Sequence, residues 1–117
     1  MLISTTPTIA GYRITTVHGE VFGLVVRSRG LGPNILASLR SIGGGEIVEY
    51  TRLLEQTRGQ AIERLAERAQ AEGGNAIVSM RFDSGAISGY MSEIVAYGTS
   101  VTIVPDEAAG QPSPAQE

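Results

Sequence analysis

From Glu46 to Glu72 the chain runs without a proline, and its apolar residues return every three or four positions: Ile47, Tyr50, Leu54, Ala61, Leu65 and Ala69, with a gap around residue 58. That period puts them on one face of a single helix. At 1.5 Å per residue the segment is ~40 Å long. A domain of this size has a radius of gyration of about 13 Å. No other feature restricts the fold as strongly, because the rest of the chain has to cover one side of a rod that is long for the domain. Gly73-Gly74 ends the helix, with Gly73 suited to the left-handed cap position. The other face offers Glu49–Arg52, Glu55–Arg58, Arg64–Glu67 and Arg68–Glu72 at spacings of three or four, which read as pairs on a solvated surface.

The flanking segments read as strands. Residues 1–5 form a short one, broken by Pro7. Residues 11–26, "GYRITTVHGEVFGLVV", are rich in β-branched residues and carry Gly19 and Gly23, so they predict one long strand or two joined at a bulge. Pro33 opens a short helix through "NILASLRSI". In "NAIVSMRFD", residues 75–83, Ala76, Val78, Met80 and Phe82 alternate with Asn75, Ser79, Arg81 and Asp83, and Ile77 is the exception. A turn at 84–89 leads into 90–104, where Val95, Tyr97, Val101 and Ile103 share a face, and the two strands predict an antiparallel hairpin. Val78, Met80, Val95 and Tyr97 are expected beneath the long helix. The Pro-rich end, 105–117, predicts a disordered tail after a domain spanning 1–104. The order is β(β)ααββ, an α+β class in which a curved antiparallel sheet packs against one long helix. Apolar residues on the second strand faces, such as Ile77 and Ile94, favour a ring-forming subunit.

Composition narrows the function classes. All nine basic residues are arginines and the net charge is −3, with no dense basic cluster, so nucleic acid is not an expected partner. The chain has no cysteine, which removes disulfides, thiolate nucleophiles and thiolate metal sites. No stretch approaches the roughly 20 apolar residues of a membrane helix, and "MLISTTPTIAGYR" lacks the basic-then-apolar pattern of a signal peptide. No membrane association and a cytoplasmic location are expected.

Four stretches together, "STTPTIAGY", the Gly-rich link before a Tyr–Arg–Ala spacing, "AQAEGGNAIVSMRFD" and "EIVAYGTSV", resemble the YbjQ-like family of small bacterial proteins over roughly residues 1–104. The resemblance implies a sheet wrapped on a long helix, homopentameric rings that can pair into decamers, and a heavy-metal-binding label. The family usually follows its Gly-Gly with Arg-Ser. Here Gly45-Glu46-Ile47 stands there, so a charge is reversed.

Candidate chemistry is sparse. Gly43-Gly44-Gly45 lacks the Lys and Ser/Thr of a phosphate loop and is followed by Glu46 and Glu49, so it reads as a hinge between helices. His18 is the sole histidine, and in a regular strand it shares a face with Glu20. Two ligands fall short of the three or four that zinc takes from protein, so a divalent-metal site requires neighbouring subunits to complete it. Arg81 and Asp83 share a strand face that Glu93 meets across the hairpin, a candidate interface or ligand face. No Gly-x-Ser-x-Gly elbow is present, and a triad would have to use His18. The expected function is a non-catalytic, ring-forming homo-oligomer without a resident cofactor that takes a small ligand between subunits. The alternatives are metal binding through His18 and Glu20, and a small-molecule enzyme on the Arg81/Asp83 face.

Overall fold

The computed structural model describes residues 1–28, 48–87 and 91–107. Its elements are β1 (Leu2–Ile3), β2 (Tyr12–Ser28), α1 (Val48–Ala71), β3 (Ala76–Ala86) and β4 (Met91–Pro105). One four-stranded sheet has the order β1-β3-β4-β2. β4 pairs antiparallel with both β2 and β3, while β1 joins β3 in parallel. The α+β class, the long helix and the β3–β4 hairpin agree with the sequence reading, and parallel β1 makes the sheet mixed. The expected helix after Pro33, the Gly43–Gly45 corner and Glu46 lie outside the described residues. Both hairpin strands outrun their expected ends. β3 continues through Ala86, and β4 reaches Pro105, one residue beyond its expected end, with the Asp106 N–H donating to Gly11 O at 2.9 Å. No helix among the described residues is long and apolar enough to cross a membrane.

The end of α1 follows from its two glycines. Gly73 has φ +90°, its N–H donates to Gln70 O at 3.0 Å, and the Gly74 N–H donates to Ala69 O at 2.9 Å. These two bonds satisfy carbonyls that a helix end leaves open. Asn75 then ties the turn to β4. Its Nδ2 donates to Ile103 O at 2.9 Å, and its Oδ1 accepts from the Ile103 N–H at 2.8 Å. The "GGNA" run is thus a helix stop followed by an amide clamp.

The helix-facing side of the sheet mixes small and large apolar residues. Ala61, Leu65 and Ala69 of α1 pack with Val21 and Val25 of β2, Ile77 and Met80 of β3, and Ala96 of β4. Gly23 lies in the same layer and lets the helix come close, while Gly98 makes room for Ile77 and the β3 backbone at Val78 and Met80. The apparent gap near residue 58 is filled by Thr57, which is buried and donates its hydroxyl to Leu53 O at 2.8 Å. Back-bonding of this kind lets a polar residue face a core. Leu54, expected on the buried face, is 41% exposed, and the Tyr50 side chain lies outside the described residues.

Two expectations about faces are corrected. Ala76 and Val78 do not share a face with Met80 and Phe82. Ser79 has φ +54° and falls where the β3–β4 register slips, between Val78 and Arg81. The extra residue of this bulge inverts the alternation. Ile77, Met80 and Phe82 therefore meet the helix, while Ala76 and Val78 join Val101, Ile103, Ile9 and Ile14 in a second cluster on the opposite side. Val95 and Tyr97 are not beneath the helix either. Ile94 and Ala96 face it, so their neighbours in the strand point away, with Tyr97 paired to Phe22 and Val95 to Leu24.

The helix arginines also depart from the expected surface pairs. Arg64 donates from Nη1 to Leu24 O, Arg68 lies 4.6 Å above the Phe22 ring, and Arg58 lies 4.9 Å above Phe82. All three reach toward the sheet, where a guanidinium gains from an aromatic face or a carbonyl.

Candidate functional site

Three places on the fold carry groups able to bind something. The first is the sheet face turned away from α1. At one end Ile9 and Ile14 cover it, as part of the second cluster. At the other end Phe22, Leu24 and Val26 of β2 and Tyr97 of β4 stand in the open, Phe22 at 43%, Tyr97 at 44% and Val26 at 47% exposure. Arg81, Asp83 and Glu93 sit on this same face, because Arg81 pairs with Tyr97, Asp83 with Val95, and Gly85 with Glu93. The structure thus brings the three expected residues onto one surface, in successive rows. Their bonds, however, go to backbone. Arg81 Nη1 donates to Thr5 O and Met80 O, each at 2.8 Å, holding the N-terminal segment against the β3 bulge. Asp83 Oδ1 accepts from the Ser84 N–H at 2.9 Å.

The second place is an open groove of about 890 Å³ between the first half of α1 and the far end of the β3–β4 hairpin. Leu54, Thr57 and Arg58 line one wall, and Phe82, Ser92 and Ile94 the other. At its edge Arg27 donates from Nη2 to Gln60 Oε1 at 2.6 Å, while its Nε is buried without a partner among the described residues. The sequence reading missed this groove. Arg27 ends the apolar alternation of β2, a weak signal, and the groove itself depends on tertiary packing.

The third is His18. It lies in a second bulge, where the β2–β4 register slips between Val17 and Gly19, and Gly19 has φ +127°. The slip turns the imidazole toward the end of α1, where Nε2 is 2.7 Å from Thr102 Oγ1. The Thr102 hydroxyl donates onward to Gly73 O at 3.3 Å. The contacts from His18 through Thr102 to Gly73 tie the bulge to the helix end. Glu20 pairs with Thr99 on the opposite face. The structure does not bring His18 and Glu20 together, and the bulge is the reason.

With this geometry in place the chain can be set beside known proteins. A family model, YbjQ_1, described as "Putative heavy-metal-binding", matches residues 1–104. The chain belongs to the YbjQ family. A UPF0145 protein of Methanocella arvoryzae is 52% identical over 112 residues, spanning 96% of this chain and 93% of that one. A Bradyrhizobium relative is 56% identical over 105 residues, spanning 90% and 95%. Neither name states an activity. Among solved structures, a Pediococcus pentosaceus protein of unknown function, assigned to a family called DUF74, superposes with a TM-score of 0.55 at 18% identity, covering 91% of this chain and 98% of that one. That likeness concerns the fold.

The described residues do not by themselves supply a site for the YbjQ family's metal label within one chain. Among the described residues no three His, Asp or Glu side chains gather as a metal site would need. Titrating zinc, nickel and copper into wild type and His18→Ala is therefore expected to give the same isotherms. Binding that vanishes with His18 would establish a histidine site. The substitution should also lower stability by about 1 kcal/mol through the lost Thr102 bond.

Proposed function

We propose that this YbjQ-family chain is a non-catalytic, cytoplasmic subunit that assembles with copies of itself into a ring and takes a small ligand between subunits. One observation carries the reading. Phe22, Leu24, Val26 and Tyr97 form a continuous exposed apolar patch on the sheet face away from the helix. Patches of this kind on soluble proteins usually mark an interaction surface. The family resemblance, with its ring-shaped homopentamers, supports a second copy as the partner. A ligand between subunits would meet aromatic rings beside Arg81 and Glu93.

Light scattering on the full chain tests the reading. A mass that is an integral multiple of the chain at micromolar concentration is expected, and native mass spectrometry of protein from its own host should show whether small-molecule mass stays with it. A monodisperse single chain would overturn the ring.

A further inference from the structure

We draw no further inference here: the strongest candidate, the open groove between the first half of α1 and the far end of the β3–β4 hairpin, with the buried Nε of Arg27 at its edge, carries nothing because residues 29–47, which follow β2 at that edge, lie outside the described residues and nothing in the structure shows what covers it.

Discussion

Gly23→Ala is expected to destabilise the chain by about 3 kcal/mol, at the upper end of what overpacking costs, and to lower the thermal midpoint by roughly 10–15 °C. A methyl group on Gly23 would stand 2.1 Å from Ala61 O, 2.5 Å from Leu65 N and 3.1 Å from Arg64 C. All three are backbone atoms of α1, so no side chain can rotate aside, and relief requires moving the helix off the sheet. That movement would loosen the layer formed by Ala61, Leu65, Ala69, Val21 and Ala96. Gly59→Ala is the matched control. Nothing lies within 4 Å of the added carbon there, and an interior helical glycine gives up about 1 kcal/mol relative to alanine, so this change should stabilise. Thermal melts of both variants at equal protein concentration check the prediction. A Gly23→Ala protein melting with wild type would mean that the helix does not approach the sheet this closely.

The contrast shows what was legible in the sequence. Period alone located α1, because its apolar face recurs over many turns and Gly73 stops it. Period also located the strands, since β-branched alternation is strong in β2 and β4. It did not locate their faces. Facing depends on parity, and a single inserted residue reverses it. Ser79 and His18 each sit at such an insertion; Gly19 marked the bulge beside His18, whereas no glycine marked the one at Ser79. The tendency to place large apolar residues inside was the second source of error. Tyr97 and Val95 looked like core, yet the helix rests on Ala96 and Gly23, and at Gly23 the absence of a side chain allows the approach. The site readings follow the same division. Arg81, Asp83 and Glu93 share a surface because no register slip separates their rows. His18 and Glu20 are parted because one does. The arginines of α1 looked like partners for acids one turn away, since the edge of β2 beneath them is a product of tertiary packing.

Leu65→Ala should be the most damaging truncation on α1, with a loss of 2–5 kcal/mol, about the range for a buried leucine. Leu65 has 0% exposure and sits at the centre of the helix-facing layer, between Ala61 and Ala69 one turn away on either side. Those neighbours are already alanines and have no atoms to spare for the void, and β2 cannot close in, because the Gly23 backbone is already in contact with the helix. Transfer and cavity contributions therefore add with little relaxation. Leu54→Ala makes the comparison diagnostic. The two leucines belong to the same periodic set, so helical period alone predicts similar losses. Leu54 is instead 41% exposed on the wall of the groove, and its truncation should cost about 1 kcal/mol or less. Urea unfolding at a fixed protein concentration gives both values with unchanged slopes if the folded state is otherwise kept. Equal losses at the two positions would place Leu54 in a core as deep as that of Leu65, and would require the groove between α1 and the β3–β4 hairpin to be filled in the folded chain.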